Sequence, residues 1–192
     1  MKKILLINGH PDHESLNRTL ADAYKRGSEE GGFQCKQINL SEFNFDPVLH
    51  YGYRQRTELE PDLLQIQQDI TDADHLVFIY PNWWGTFPSL LKGFFDRVFL
   101  PGFAFKYREN SLLWDKLLKG RSARLIVTMD TPKWFYGMVY RAPGHHAMKK
   151  CILGFCGIKP VKVTTFGPVK ASDQRNREKW IQAVEKLGKM GK

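Results

Sequence analysis

His75-Leu76-Val77-Phe78-Ile79-Tyr80-Pro81-Asn82-Trp83-Trp84-Gly85-Thr86-Phe87-Pro88 joins an apolar run of strand length to a stiff turn holding two tryptophans between two prolines. A continuous apolar run bounded by turn residues suits a strand covered on both faces, as in a parallel sheet. Open α/β sheets bind ligands at the carboxyl ends of such strands, where Trp83 and Trp84 make an aromatic wall. A flat aromatic ligand is the first partner to consider. Packing in a core or an interface between copies is the alternative.

Similar apolar runs recur at 4–7, 35–40, 125–129 and 161–166, and helical patterns lie between most of them. The predicted helices cover 15–30, 61–73, 89–100, 144–155 and 172–189. Leu16, Leu20, Ala23 and Tyr24 mark the first at helical spacing, and Trp180, Ile181, Val184 and Leu187 the last. Strands alternating with helices read as an α/β fold. The expected architecture is a flavodoxin-like doubly wound sheet of five parallel strands in the order 2-1-3-4-5. One domain accounts for residues 1–192, with disorder expected only at 189–192.

The composition narrows the function classes. A chain of 192 residues with 42% hydrophobic content can bury a sizeable single core. No apolar stretch approaches the roughly 20 residues that span a bilayer, and Asn8-Gly9-His10-Pro11 interrupts the short run at 4–7. The expectation is a cytoplasmic protein without stable membrane insertion. Cys35, Cys151 and Cys156 lack metal-pair spacing and are read as small core residues. The net charge of +9 is dispersed, densest at Arg175, Arg177 and Lys179. Without a nucleic-acid motif it points to phosphate-bearing small molecules rather than nucleic acid.

Two aromatic loops, 42–59 and 101–118, are longer than simple connections and suit lids or partner surfaces. After the first strand, residues 8–17 lead into the first helix. Backbone N–H groups and the helix dipole there can hold a phosphate, with His10, Ser15 and Asn17 as side-chain donors. Ser15 also suits a helix N-cap. The loop has neither the Gly-x-Gly-x-x-Gly nor the Walker pattern, which disfavours a dinucleotide-binding Rossmann domain or a nucleoside triphosphatase.

Five blocks in order, Gly9-His10-Pro11 to Ser15-Leu16-Asn17, Phe43 to Pro47, Ala73-Asp74, Pro81 to Pro88 and Leu91 to Phe99, carry a resemblance over nearly the whole chain. The sequence resembles the flavodoxin-like NAD(P)H:quinone oxidoreductases, a group that includes DT-diaphorase, the modulator-of-drug-activity proteins and the potassium-efflux ancillary flavoproteins. The resemblance implies a flavin, FAD or FMN with FAD preferred, and NAD(P)H as co-substrate. It implies hydride transfer to the flavin and then two electrons to a quinone-like acceptor in the same slot, by a ping-pong mechanism. The alternative it implies is a flavin-bearing regulatory subunit of a membrane transport system.

Position by position, the resemblance implies that His10, Ser15, Leu16 and Asn17 hold the flavin phosphate and ribityl chain. Pro81, Asn82, Trp83, Trp84 and Gly85 would line the isoalloxazine, with Trp84 at the family's aromatic position and the larger contributor to affinity. Thr128, Met129, Asp130 and Thr131 would close the other side. Tyr136 and His145 are the implied catalytic pair, although Ala142 stands at the family's histidine position and His145 or His146 would substitute. Asp130-Thr131-Pro132-Lys133-Trp134 replaces the family's glycine-rich turn. A homodimer is expected, partly from the resemblance and partly because Leu90, Leu91, Phe94, Phe95, Val98 and Phe99 give helix 89–100 more apolar surface than one sheet face needs.

Overall fold

In a computed structural model describing residues 1–55 and 57–192, five strands form one parallel sheet. They are β1 (Lys3–Asn8), β2 (Gln34–Asn39), β3 (His75–Pro81), β6 (Ser122–Thr128) and β7 (Val161–Phe166). Their order is β2-β1-β3-β6-β7, the expected 2-1-3-4-5 arrangement. All seven residues of β3 are buried, as a strand covered on both faces requires. Register pairs Ile79 with Asn8 and Pro81 with Thr128, so the carboxyl ends of β1, β3 and β6 lie side by side.

The remaining pair, β4 (Phe105–Tyr107) and β5 (Trp114–Lys116), is an antiparallel hairpin inside the expected 101–118 loop. Strands of three residues carry too little alternation to be recognised in sequence. Trp114 stacks on Phe155 at 4.4 Å and donates its indole N–H to the Phe155 carbonyl at 2.9 Å, fixing the hairpin to the body.

The helices are α1 (Leu16–Glu30), α2 (Pro61–Asp72), α3 (Ser89–Val98), α4 (Lys133–Met138), α5 (Pro143–His146), α6 (Gly154–Cys156) and α7 (Gln174–Lys189). Between α5 and α6 the chain is π-helical over Ala147–Leu153, so the expected 144–155 helix is continuous but wider wound. α4, of six residues behind Pro132, was not expected.

Helix α3 differs from expectation in its energetics. Leu91, Phe94, Phe95, Val98 and Phe99 are all buried within the chain, while Leu90 packs partly against the core. The apolar surplus is therefore covered internally and carries no argument for a dimer. Much of the cover comes from the 42–59 segment, with Pro47 lying directly on Gly93. Arg97, 1% exposed, ties that segment down through Glu60 and the carbonyls of Asp46 and Glu58.

The expected disorder at 189–192 is replaced by docking: Tyr24 donates to the Lys192 carbonyl at 3.0 Å and Lys2 Nζ to that of Gly191. Of the cysteines only Cys156 is buried; Cys35 is half-buried and Cys151 exposed, which corrects the reading of all three as core. Among the described residues no His, Cys, Asp or Glu cluster suits a metal, and no helix is long and apolar enough to cross a membrane.

Candidate functional site

The strand ends of β1, β3 and β6 open into a cleft of about 240 Å³. It is lined by His10, Ser15, Leu16 and Asn17, by Pro81, Asn82 and Trp83, and by Thr128, Met129 and Asp130. Ten expected cofactor residues from three separated segments thus share one cavity. Trp84, Gly85 and Thr131 stand outside its lining. A larger cavity of about 590 Å³ lies between Leu49, Tyr53, Thr57, Leu59, Leu64, Gln67 and residues 100–103, and none of the expected site residues lines it.

The first segment is built by local hydrogen bonding. Asn8 Oδ1 accepts from the His10 N–H at 3.2 Å, and His10 Nδ1 accepts from the Asp12 N–H at 2.9 Å. With Nδ1 an acceptor, the ring's proton sits on Nε2, which is left to donate. Burial holds His10 below the usual histidine range, against a smaller opposing effect of Asp12. Ser15 is both cap and donor: its Oγ accepts from the Arg18 N–H at 3.3 Å, and among the described residues its own O–H has no acceptor, which leaves it available to a ligand.

Asn17 carries the strongest signal in the cleft. It is 3% exposed, and its Oδ1 accepts from Thr128 Oγ1 at 2.9 Å, which fixes the amide's orientation. Its Nδ2 is buried with no partner among the described residues. An unsatisfied buried donor costs roughly 1–3 kcal/mol, so the site is complete only with an acceptor there. Beside it the first turn of α1 offers unpaired N–H groups and the positive end of the helix dipole. That donor set fits an anionic oxygen, and a flavin phosphate has the required chemistry.

The tryptophans diverge. Trp83 lines the cleft and meets His10 edge-on, with ring centroids 5.5 Å apart. Trp84 is 103% exposed at the apex of a tight turn, in which the N–H and C=O of Trp83 and Thr86 bond each other at 2.9 and 3.2 Å. Both apex residues have left-handed backbone, Trp84 at φ 52° and Gly85 at 78°. For a bulky residue that conformation costs on the order of 1–2 kcal/mol.

Tyr136 holds this strained turn. Its hydroxyl donates to the Gly85 carbonyl at 2.8 Å and accepts from the Gly144 N–H at 3.0 Å, and the residue is 1% exposed. A Cβ on Gly144 would meet the Gly85 carbonyl at 2.8 Å and the Tyr136 hydroxyl at 2.9 Å, so only glycine allows the approach. His145 packs edge-on against Tyr136 at 5.0 Å, while His146 is exposed. Burial raises the Tyr136 phenol and lowers His145. The Gly144 N–H also donates to the Gly85 carbonyl at 3.0 Å, so Tyr136→Phe leaves these two groups paired with each other and removes only the hydroxyl's share. It is expected to lower unfolding free energy by about 0.5–1.5 kcal/mol in urea titrations.

On the third segment, the Asn82 N–H donates to the Thr128 carbonyl at 2.7 Å, and Asp130 Oδ1 accepts from the Lys170 N–H at 2.8 Å. Sequence reasoning missed Val169, which also lines the cleft and whose N–H donates to the Met129 carbonyl at 3.0 Å. It follows β7, and no local pattern marks it.

A strand-end cleft of this geometry has relatives. Residues 2–188 match the family model described as flavodoxin-like fold. A Haemophilus influenzae protein named an uncharacterized NAD(P)H oxidoreductase is 30% identical over 184 residues, covering 93% of this chain and 90% of its own. Ribosyldihydronicotinamide dehydrogenase [quinone] of Rattus norvegicus is 26% identical, covering 98% and 93%. The solved NAD(P)H:quinone oxidoreductase of Methanothermobacter marburgensis superposes with a TM-score of 0.83 at 25% identity, covering all of this chain and 99% of that one. With sheet order, cleft and sequence in agreement over nearly its whole length, this chain belongs to the flavodoxin-like fold family, in the group of NAD(P)H oxidoreductases and quinone reductases.

Proposed function

We propose that this protein is a flavin-dependent NAD(P)H:quinone oxidoreductase whose single cleft serves a reduced nicotinamide and a flat acceptor in turn. The observation that carries this reading is the buried, unpartnered Asn17 Nδ2 beside the N-terminus of α1, in a cleft walled by Trp83. The names of the relatives supply the nicotinamide and the quinone.

The chemistry that a bound flavin would supply here is acceptance of a hydride from NAD(P)H and delivery of two electrons to the acceptor. The chain's own part is binding, orientation and charge stabilisation. Asn17 Nδ2, the Ser15 O–H, His10 Nε2 and the first N–H groups of α1 hold the phosphate, and Leu16 covers the adjoining chain. Pro81, Asn82 and Trp83 form one side of the ring slot, with Trp84 and Gly85 on the turn beyond its lining, and Thr128, Met129 and Asp130 form the other, with Thr131 just outside it. Backbone N–H groups around Asp130 and Thr131 are the donors available to negative charge at the ring edge. Tyr136 and His145 act as positioning residues: Tyr136 holds the 83–86 turn through the Gly85 carbonyl, and His145 packs against the Tyr136 ring.

A homodimer is part of the proposal, on a different ground from α3. Exposed Trp84, Trp134, Met138, Val139 and Tyr140 lie on the 83–86 turn and the α4 segment that Tyr136 ties together, an apolar surface beside the open cleft. A second copy over that surface would cover the open side. The protein is read as cytoplasmic, and the flavin as FAD in preference to FMN.

The test is direct. The purified protein is expected to be yellow, to bleach with NADH or NADPH without oxygen, and to recover on adding a simple quinone. Initial rates against both substrates are expected to give the parallel lines of a ping-pong scheme. Mass spectrometry of the extracted cofactor distinguishes FAD from FMN, and sedimentation at micromolar concentration is expected to give a dimer. Colourless protein that no flavin reconstitutes would overturn the reading.

A further inference from the structure

At the far end of the sheet, about 20 Å along β3 from the cleft, the amino ends of the strands line a further cavity of about 140 Å³. Lys2, His75, Ser122, Arg124, Lys162 and Lys192 line it. His75 opens β3 and pairs in register with Ser122 on β6, and Arg124 pairs with Lys162 on β7, so the sheet itself fixes the spacing of these groups.

Two polar side chains in this lining are deeply buried and incompletely bonded. His75 is 4% exposed; its Nδ1 meets Ser122 Oγ at 2.8 Å, and its Nε2 has no partner among the described residues. Arg124 is 7% exposed; one Nη donates to Thr164 Oγ1 at 2.7 Å, and its Nε is likewise unpartnered. Lys2 and Lys162 add two more cations, and among the described residues no carboxylate forms a salt bridge with Lys2, Arg124 or Lys162. Asp74 supplies part of the counter-charge at Lys2, less than the effect of burial there, and its Oδ2 also accepts from the Lys3 backbone N–H.

Like charges gathered around buried donors destabilise a fold unless something answers them. We propose that this cavity is a binding site for a phosphate-sized oxyanion, held by Arg124, Lys2 and Lys162 over the His75–Ser122 pair. The lining is donor-rich and positively charged, which disfavours a metal cation and an apolar ligand alike. Burial first, then the neighbouring Lys2 and Arg124, pushes His75 down to about 4. The ring is therefore neutral at pH 7, and when Ser122 donates to Nδ1 its Nε2 carries the proton. The anion is free inorganic phosphate or the terminal phosphate of a monoester, and the cavity is separate from the flavin cleft.

Calorimetric titration of inorganic phosphate into the protein as purified, at constant ionic strength and with chloride as the control, tests the assignment. A parallel titration with glycerol phosphate separates the two sources: binding of both identifies a monoester site, and binding of inorganic phosphate alone identifies a free-ion site. Saturable binding is expected with one ion per chain, accompanied by movement of the His75 imidazole resonances. Lys162→Gln and Arg124→Gln are each expected to weaken it about tenfold or more. Lys162 is exposed, so that variant keeps the fold and keeps the test decisive. No saturable binding to the parent protein, or unchanged affinity in Lys162→Gln, would overturn the proposal.

Discussion

Asn17→Asp is expected to purify without flavin while keeping its fold. The substitution preserves shape, and the carboxylate still accepts from Thr128 Oγ1 where Asn17 Oδ1 does now. An acidic residue in the first turn of α1 also suits the helix dipole. What changes is the atom at the Nδ2 position, which is buried and unpartnered in the cleft lined by Ser15, Leu16 and Trp83. A donor to an anionic oxygen becomes a second anion facing it. Loss of a charge-assisted hydrogen bond alone is worth roughly 1.5–3 kcal/mol, and repulsion adds to it. Cofactor affinity should fall at least about a hundredfold, near 2.8 kcal/mol. Fluorescence titration of the deflavinated protein checks this. Affinity within about threefold of the parent would sink the assignment of Asn17 to the phosphate.

The largest stability effect is expected at Glu60. Arg97 is among the largest fully buried side chains, and its two terminal nitrogens reach Glu60 at 3.2 and 2.8 Å and the Glu58 carbonyl at 3.0 Å. Glu60 also accepts from the Asp46 N–H at 3.1 Å, so one carboxylate joins both ends of the 46–60 segment to α3. Glu60→Ala leaves the guanidinium buried with carbonyl partners only. Breaking a buried pair from one side costs about 3–5 kcal/mol, and the 29% exposure of the Glu60 side chain puts the expected loss at the lower end. Urea unfolding at pH 7 measures it.

The same pair sets a pH dependence. Burial by itself raises the Glu60 carboxyl, but its own and the Asp46 backbone N–H groups together with Arg97 outweigh that and leave it below its ordinary value. A depressed folded pKa means the stabilisation is complete above the unfolded value of about 4.3 and is lost as pH falls through the folded one. The stability gap between the parent and Glu60→Ala is therefore expected to shrink below about pH 4. A gap constant from pH 7 to pH 3 would show that packing, and not the charge pair, carries the effect.

Neither effect is visible from local pattern alone. The strands were legible because runs such as Leu76 to Ile79 are apolar on both faces, which only a covered parallel strand requires. The α1 boundary was legible because a serine before an amphipathic run has one common local role, and Ser15 does cap it. By contrast, the apolar surplus of α3 pointed to a partner, and it is the 42–59 segment of the same chain that covers Gly93 and Arg97. Sequence offers no period for an irregular segment that folds back over a helix. The short hairpin and α4 escaped for a related reason: three and six residues complete too few repeats to be recognised.

Within the candidate site, residue type and position at the strand ends were enough to assemble His10, Asn17, Trp83 and Met129 around one cleft, because in a doubly wound sheet the strand order dictates which carboxyl ends adjoin. The sequence by itself determined the fold class and the residue types available at that edge, which follow from apolar periodicity and turn residues a few positions apart, and the alternation of five strands with five helices fitted the observed strand order. Only the tertiary structure decided which tryptophan enters the cleft, that the Tyr136 hydroxyl grips Gly85, and that Thr128 orients Asn17. Those last contacts join residues 51 and 111 positions apart. A hydrogen bond across such a distance depends on where two strands and their loops come to rest, and it leaves no periodic trace in either segment.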